Sequence, residues 1–519
     1  MAISIRMSGF TSLGKKTSGG GGGGGVSANA LGPFGTPLVA APTPVGQAAF
    51  VYGINTILWT TGSTGTGASV STSEGVMSCT SGNSLSGSAS VKLSRGIKYR
   101  AGQGAMCRLT AIFDPGQPDT KQLAGVGNNE SGYYFCMNGT SFGILHRETS
   151  KREIRSFKVT AQNAVTVTVR LQGESKSFSI TGGSNANQTA YAISRQDYME
   201  VGSGWRSEAS GDVVYFVAEK PGPMGGIFDI TVGGVSIVTV AATVQAGVLP
   251  TDTFIPQSAW NIDTMDGNGP SRTVLDTTKG NIYAVGYQWL GFGDPVFSME
   301  NPESGLLEHV HRIQTANART SVVIRDPMTT ARWEAINSGS SASSVTVKGA
   351  SAAVFNEGDI VRNIGIAYAS GSTKSSIGAT EVPVITLRAD GVFNGQCSYG
   401  EVNVFDITLG CNGGSSASNK FLRVNIYKNM GLGGPVNFQK MDPTRSVASL
   451  DSEATSVAPD GRTQLIKSVI VAANASVVVK LAEESFSVRE GDSVTVTAVR
   501  AGASNVDDAF VTIGWFEDQ

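Results

Sequence analysis

The stretch WNIDTMDGNGPSRTVLDTTKGNIYAVGYQWLGFGDPVFSMENPESGLLEHVHR, residues 260–312, indicates the fold class of this chain. It contains three short apolar runs, Ile282–Trp289, Val296–Met299 and Leu306–Ile313, separated by Gly, Pro, Asp and Asn. Runs of this length, rich in aromatic and β-branched residues and bounded by turn formers, are typical of strands in an antiparallel meander. The stretch has no nucleophile with its base, no phosphate-binding loop and no complete set of metal ligands. We therefore interpret it as β scaffold.

The composition of the whole chain agrees with a protein built from strands. Of the 519 residues, 66 are glycine and only 15% are charged, against about a quarter in an average protein. Low charge with abundant Gly, Thr and Val favours strands and tight turns over helices. The net charge of −2 gives no electrostatic basis for binding nucleic acid or an anionic membrane. No apolar run is long enough to span a bilayer.

The five cysteines and the N-terminal sequence indicate the compartment of assembly. An odd number of cysteines without CxxC spacing predicts free, buried thiols. MAISIRMSGF, residues 1–10, lacks the apolar run of a signal peptide. We therefore expect folding in a reducing compartment.

The pattern along the chain predicts a mainly β, multidomain protein of antiparallel sandwiches. We divide it into an extended Gly/Pro-rich arm (1–49), the first part of a β domain (50–150), a small α+β insertion (151–255), the continued meander of the β domain (256–375) and a jelly-roll-like C-terminal β-sandwich (376–519). In free solution this Gly- and Pro-rich composition is a flexible arm, and the unbroken glycine run at 19–25 is costly to order. An ordered run would therefore indicate that neighbouring chains pin the arm.

Three local signals support this division. Asn138-Gly139 lies between two apolar runs and predicts a hairpin turn. In the insertion, Val165, Val167, Val169 and Leu171 alternate with polar residues, which predicts a strand with one wet face. The segment 184–199 is the best candidate for a helix, with Ser, Asn and Gln available to cap its start.

Histidines and acidic residues offer two candidate metal sites. His309 and His311, at i and i+2, would share one face of a strand, as two ligands of a metal ion would. The only other histidine is His146, and no third ligand is evident nearby. We therefore favour paired imidazoles without a metal. Asp263, Asp266, Gly267 and Asn268 resemble part of a calcium loop, but they lack EF-hand spacing and its terminal Glu. A loop closed by its own Asx turns is the preferred interpretation. We predict no catalytic, cofactor-binding or metal-binding residues and no cofactor.

Three further sets of residues have a structural and a functional interpretation. The sequons at Asn129, Asn138, Asn187 and Asn474 occur at near-chance frequency, and Asn138 is better explained as a turn residue. The glycines Gly102, Gly104, Gly127 and Gly132 lack the strand-to-helix context of a phosphate loop and are interpreted as turn glycines. The aromatic residues Tyr133, Tyr134, Trp205, Tyr287 and Trp289 would form a glycan-binding platform if exposed together, although half of such residues on strands lie in the core.

Several blocks of sequence resemble one protein family. They are KYRAGQGAMCRLTAIFD (98–114), GVGNNESGYYFCMNGTSFGILHR (125–147), WNIDTMDGNGP (260–270), LDTTKGNIYAVGYQWLGFG (275–293), MENPESG (299–305) and HVHRIQTAN (309–317). In this order they resemble virion structural proteins, fibre-like or minor capsid components, of large algal DNA viruses and tailed bacteriophages, over residues 85–350. The C-terminal EGDSVTVTAV (490–499), with VNIYKN (424–429), is similar to tumour-necrosis-factor-like jelly rolls, which trimerise.

The resemblance implies a component of a virus particle without catalysis. Its expected partners are other capsid, vertex or fibre subunits and further copies of itself, and its expected location is the virion, assembled in the host cytoplasm. The alternative is a trimeric receptor- or glycan-binding spike head with a host-surface glycan as partner. A carbohydrate-active enzyme would need two carboxylates facing each other across a cleft, and the sequence singles out no such pair.

Overall fold

A computed structural model of the chain describes residues 42–518 apart from 57, 98–101, 149, 161–165, 181–184, 240, 323, 340–342, 359–364, 414–419, 482–486 and 503–505. The predicted arm lies outside the described residues up to position 41, and so does its glycine run. Residues 42–49, which we also assigned to the arm, instead form a strand.

Thirty-nine strands and one α-helix are described. The first group is β1 (Pro42–Ala49), β2 (Trp59–Thr64), β3 (Ser69–Ser73), β4 (Val76–Thr80), β5 (Ser88–Leu93), β6 (Ala105–Phe113), β7 (Thr120–Gly127), β8 (Gly132–Asn138) and β9 (Ser141–Arg147). The second is β10 (Arg152–Lys158), β11 (Thr166–Leu171), β12 (Glu174–Ser179), α1 (Ala186–Ser194), β13 (Trp205–Ser210), β14 (Val213–Pro221), β15 (Asp229–Val232), β16 (Val235–Ser236) and β17 (Ala242–Gln245).

The chain continues with two further groups. The third is β18 (Asp252–Pro256), a 3-10 turn at Gln257–Ala259, β19 (Asn281–Tyr287), β20 (Val296–Glu300), β21 (Leu307–Arg312), β22 (Thr330–Asn337), β23 (Thr346–Gly349) and β24 (Ser351–Glu357). The fourth is β25 (Ile366–Ile377), β26 (Val382–Ala389), β27 (Val392–Phe393), β28 (Gln396–Cys397), β29 (Glu401–Asn412), β30 (Phe421–Lys428), β31 (Leu432–Gly433), β32 (Gln439–Lys440), β33 (Ala448–Asp451), β34 (Ser456–Val457), β35 (Gln464–Ala472), β36 (Ala475–Lys480), β37 (Ser487–Arg489), β38 (Ser493–Arg500) and β39 (Val506–Asp518).

Strands of the first and third groups form a large two-sheet sandwich, which we call the first sandwich. One sheet has the order β18-β9-β8-β7-β22-β5-β2, and the other runs β21-β20-β19-β6-β23-β4-β3, with β24 beside β6 and β1 beside β24. The three apolar runs of the opening stretch are β19, β20 and β21, paired antiparallel in sequence order, so the predicted meander is confirmed.

The core of the first sandwich is aromatic. Trp59 stacks on Phe50 with ring centroids 4.4 Å apart, and Trp333 lies 5.8 Å from both rings. Phe135 packs edge-on against Phe297 at 5.3 Å. Pairs with such geometry contribute about 0.5–1.5 kcal/mol each beyond the area that they bury.

The predicted hairpin between β8 and β9 exists, but its turn is displaced by one residue. Asn138 pairs with Ser141, so Gly139 and Thr140 are the two turn residues. Gly139 has φ +56°, which fits the first central position of a type II′ turn. Asn138 is therefore the last residue of β8 rather than a turn residue.

The second group of strands, which we call the insertion, forms two four-stranded sheets, β13-β14-β10-β17 and β12-β11-β15-β16. Helix α1 confirms the predicted helix but is shorter than the segment 184–199, and Asn185 caps it by accepting a hydrogen bond from Gln188 N. Val167, Val169 and Leu171 are fully buried, as their alternation predicted; Val165 lies outside the described residues.

The fourth group forms a second sandwich. Its sheets have the orders β25-β39-β29-β36, with β37 also paired to β29, and β32-β33-β26-β38-β30-β35. The long strands exchange sheets along the chain: β25, β29, β36 and β39 lie in one, and β26, β30, β35 and β38 lie in the other. This antiparallel two-sheet arrangement with exchanging strands is that of a jelly roll, which confirms the predicted jelly-roll-like sandwich.

Candidate functional site

The two neighbouring histidines do not share a face of their strand. Ser298 pairs with His309 but Phe297 pairs with His311, so Val310 is an extra residue in a β-bulge. Paired residues point to the same side, which places His309 and His311 on opposite sides of the sheet. His309 Nδ1 lies 2.8 Å from Ser298 Oγ, and His311 Nδ1 accepts a hydrogen bond from Asn261 N at 3.1 Å. The i, i+2 expectation is wrong because the bulge interrupts the alternation.

The remaining histidine is also a core residue. His146 is buried and stacks on Tyr133 with ring centroids 5.0 Å apart. Burial lowers the pKa of His146 to about 4. Within the described residues there is no group of three or more His, Cys, Asp or Glu side chains placed to hold a metal ion.

The loop after Trp260 is closed by Asx turns, as the sequence indicated. Asp263 Oδ1 accepts a hydrogen bond from Met265 N at 2.8 Å, and its Oδ2 accepts one from Ser271 N at 2.7 Å. Asp266 Oδ1 accepts one from Asn268 N at 3.0 Å. The carboxylates are thus occupied by the loop's own backbone.

The proposed aromatic platform does not exist. Tyr133, Tyr134, Trp205 and Tyr287 are each at most 3% exposed. Trp289 is partly buried and donates its indole N–H to Ile324 O at 3.0 Å. These residues pack the cores of the first sandwich and the insertion, so they cannot stack on a sugar together.

Two of the four glycines singled out by sequence are packing residues rather than turn residues. Gly127 ends β7 and Gly132 begins β8, and they pair with each other. A Cβ at Gly127 would lie 2.2 Å from the Tyr134 hydroxyl oxygen, so the side chain of Tyr134 occupies the space above both glycines. Gly102, with φ +87°, has the turn conformation predicted for it, and a Cβ at Gly104 would collide with Glu357.

The sequons and cysteines have structural environments. Asn187 lies in α1, and Asn474, with φ +58°, lies in the tight turn between β35 and β36. The Asn129 side chain accepts a hydrogen bond from Arg332 and donates one to Glu219 O. All five cysteines are free and buried, as predicted.

A cleft of about 960 Å³ lies where the first sandwich, the insertion and the jelly roll meet. This volume lies near the upper end of the range of ordinary ligand pockets, about 300–1,000 Å³. All three units contribute acidic and basic side chains to it, including Lys92, Glu130 and Arg332 from the first sandwich, Arg152 and Arg206 from the insertion, and Glu490 from the jelly roll.

Ion pairs connect the three units across this cleft. Arg152 Nη2 lies 2.7 Å from Glu490 Oε1, and Arg152 Nε lies 3.2 Å from Glu130 Oε2. Arg206 Nη1 donates to the other oxygen of Glu490 at 3.0 Å. The Tyr399 hydroxyl of the jelly roll donates to Glu130 Oε1 at 2.9 Å. Each unit is therefore held to the other two by an ion pair or a charged hydrogen bond.

The electrostatics differ from one carboxylate to the next. Burial raises the pKa of Glu130 by more than Arg152 lowers it. Burial also raises the pKa of Glu490, but Arg152 and Arg206 outweigh it and hold that pKa at about 2.

The opposite pKa shifts of Glu130 and Glu490 resemble those of the two carboxylates that act as general acid and base in some enzymes. Here Arg152 binds both of them, and Tyr399 and Arg206 bind their other oxygens. The arrangement is that of an ion-pair bridge between units.

A second surface with functional character is the outer side of the β25-β39-β29-β36 sheet. Its two central cross-strand rows are Thr373, Phe510, Gly410 and Ser476, and Gly371, Thr512, Thr408 and Val478. We call these eight residues the open face. It has no charged residue, and Phe510 and Val478 are 44% and 55% exposed. A sheet surface with exposed apolar side chains and no charge in its central rows is typical of a protein–protein contact.

Comparison with known proteins gives limited information. No protein-family model and no curated protein matches the chain. Among solved structures, it is similar to the carbohydrate recognition domain of Emp46p (11% identity, TM-score 0.23, covering 60% of this chain and 96% of that one). It is also similar to the carbohydrate recognition domain of Emp47p (12% identity, TM-score 0.24, covering 64% of this chain and 100% of that one). A third similar structure is the Ca²⁺/Man3GlcNAc-bound exoplasmic/lumenal domain of VIP36 (9% identity, TM-score 0.24, covering 62% of this chain and 92% of that one). TM-scores this low carry no argument about the function of this chain.

Sequence reasoning missed both the cleft and the open face. Arg152 and Glu490 are 338 positions apart, and no local periodicity links them. The open face required the cross-strand register, although the alternation of β39 was a usable signal. In the described part of the chain no helix is long and apolar enough to cross a membrane.

Proposed function

We propose that this chain is a structural protein of a virus particle, a fibre, vertex or minor capsid component, that works as a homotrimer. The sequence resemblance supports its place in a virion. The open face of the jelly roll supports self-association, and it is the observation that carries the proposal.

The physical basis is the cost of leaving this face in water. Removing apolar surface from water stabilises association by about 25 cal/mol per Å². The small residues Gly371, Gly410 and Ser476 let a second sheet approach closely, and Phe510 supplies the largest apolar side chain. With no charge in either row, copies of the face meet without repulsion or the burial of an unpaired charge.

Light scattering of full-length protein at two concentrations tests the proposal. We expect a stable trimer for the wild type and a monomer for Phe510→Glu, because this substitution buries three carboxylates at the interface. Ile470→Glu is the matched control, since Ile470 is 59% exposed on β35 in the other sheet of the same jelly roll. A monomeric wild type, or loss of the trimer in the Ile470 variant alone, contradicts the proposal.

A second candidate function is a trimeric receptor- or glycan-binding head. Like the structural virion protein, such a head would be a trimer, but it would also need a recess for a ligand. The cleft between the three units is the observation that favours it, because its volume and its charged lining suit a polar ligand. Tyr133, Tyr134, Trp205 and Tyr287 are buried and so take no part in it.

A further inference from the structure

Lys92 lines the cleft but takes no part in the ion-pair bridge. It lies on β5, directly opposite Arg332 on β22 in the register of the sheet. Among the described residues it has no ion-pair partner, whereas Arg152, Arg206 and Arg332 each have at least one.

The surroundings of Lys92 favour a negative charge beside it. Burial lowers the pKa of Lys92, and Arg206 and Arg332 lower it further, while Glu219 and Glu490 act more weakly in the other direction. Arg206 already pairs with both of these acids, so neither is free to neutralise the lysine. An uncompensated cation beside two guanidinium groups is an unfavourable arrangement, which a bound anion would relieve.

Arg332, the cross-strand neighbour of Lys92, carries an unsatisfied donor. Arg332 is 4% exposed, and its Nε–H has no hydrogen-bond acceptor. Its Nη2 donates hydrogen bonds to Asn129 Oδ1 at 2.6 Å and to Glu334 Oε1 at 2.9 Å. These hydrogen bonds hold the guanidinium on the strand next to Lys92, where its positive charge acts on the same part of the cleft.

We propose that the cleft binds an anionic group, a carboxylate or a sulfate carried on a glycan, with Lys92 as the direct contact. The ammonium pairs with the anion, and the guanidinium groups of Arg332, on the neighbouring strand, and of Arg206, in the insertion, strengthen the positive field around it. The cavity is much larger than a single anion, which leaves room for the sugar units that carry it. This inference deepens the glycan-binding candidate and does not depend on self-association.

Calorimetric titration of the full-length protein at low ionic strength tests the site. The probes are inorganic sulfate, sialyllactose as a carboxylated glycan, and lactose as its neutral counterpart. We expect an anionic probe to bind the wild type at least tenfold more tightly than Lys92→Met, with Lys92→Arg retaining most of the affinity and lactose not binding. Preference for sialyllactose assigns a carboxylate, and preference for sulfate assigns a sulfate ester.

A thermal measurement separates binding from a structural role. Without ligand, Lys92→Met is expected to unfold at the wild-type temperature or above, because it removes an unpaired cation. With the anion present, the Tm of the wild type should rise, whereas the Tm of Lys92→Met should not. Lys279→Met, at an exposed position on the β18–β19 connection, is the control for general salt effects. Equal anion responses in all three proteins, or no anion binding to the wild type, overturn the proposal. Light scattering of the same variants reports the trimer independently.

Discussion

At the scale of the residue, Tyr134 shows how the first sandwich depends on two glycines. The Tyr134 ring is fully buried, and its hydroxyl donates to Asn128 O at 3.2 Å. A Cβ at Gly132 would lie 2.6 Å from the ring. Because the ring is enclosed, it cannot move aside at low cost.

Gly132→Ala is therefore expected to lower the free energy of unfolding by about 1–3 kcal/mol, the usual cost of overpacking a core. Gly286→Ala is the matched control, since Gly286 lies in strand β19 and the nearest atom to its added Cβ would be 3.9 Å away. Denaturant unfolding of the three proteins measures the difference. Equal losses for both variants would show that strand propensity, and not the Tyr134 contact, sets the cost.

A buried carboxylate between the insertion and the jelly roll gives a prediction about pH. Glu208 accepts hydrogen bonds from Gly391 N at 2.7 Å and Val392 N at 3.0 Å. Burial, with Asp390 nearby, raises the pKa of Glu208 from 4.5 to about 6. The folded state then binds more protons than the unfolded state between these values, so the contribution of Glu208 to stability falls as pH rises through this window.

The expected loss is about 2 kcal/mol, at about 1.4 kcal/mol per unit of pKa. Glu208→Gln removes the titration, so its stability should change less than that of the wild type between pH 4.5 and 6.5. Denaturation midpoints at both pH values measure this. An unchanged slope in the variant would mean that another group titrates there.

At the scale of the element, the sequence predicted strands well and failed where one residue changed the register. Alternation located Val167, Val169 and Leu171 correctly, because one-sided burial forces a period of two. The same rule failed at His309 and His311, since a single bulge residue, Val310, reverses the faces. It also placed the β8–β9 turn one residue early, because the pairing of Asn138 with Ser141 depends on the partner strand. The sequence could not tell which aromatic residues are buried, because their burial depends on how distant strands pair and how the two sheets pack.

Helix α1 provides a test of a local signal that was read correctly. Asn185 has the extended φ and ψ of −154° and 172° and accepts from Gln188 N at 3.0 Å. Asn185→Ala is expected to lower the free energy of unfolding by about 1 kcal/mol. Asn185→Ser is expected to keep most of the stabilisation that the cap provides, because serine also caps helices. Denaturant unfolding of both variants measures the difference, and equal loss in the serine variant would assign the effect to contacts other than the cap.

At the scale of the whole molecule, the units share cores as well as ion pairs. Met430, Leu432, Val436 and Phe438 of the jelly roll pack into the core of the insertion, and Tyr191 of α1 lies 6.0 Å from Phe438 between ring centroids. The first sandwich meets the jelly roll mainly through the charged cleft. This arrangement was not visible in the sequence, because contacts such as Arg152–Glu490 and Tyr191–Phe438 join residues more than 200 positions apart.

The strand at the start of the described chain gives the last prediction. β1 pairs with β24 from Pro42–Glu357 to Ala49–Ser351, and Phe50, which follows it, stacks on Trp59 in the core. Removing residues 1–41 should leave the unfolding temperature unchanged, whereas removing residues 1–49 exposes the edge of β24 and should lower it by several degrees. Calorimetry of both truncations measures this. If the shorter truncation also lost stability, residues before Pro42 would contribute to the fold. If it kept stability but no longer assembled, those residues would act between chains, as the cost of ordering their glycine run suggests.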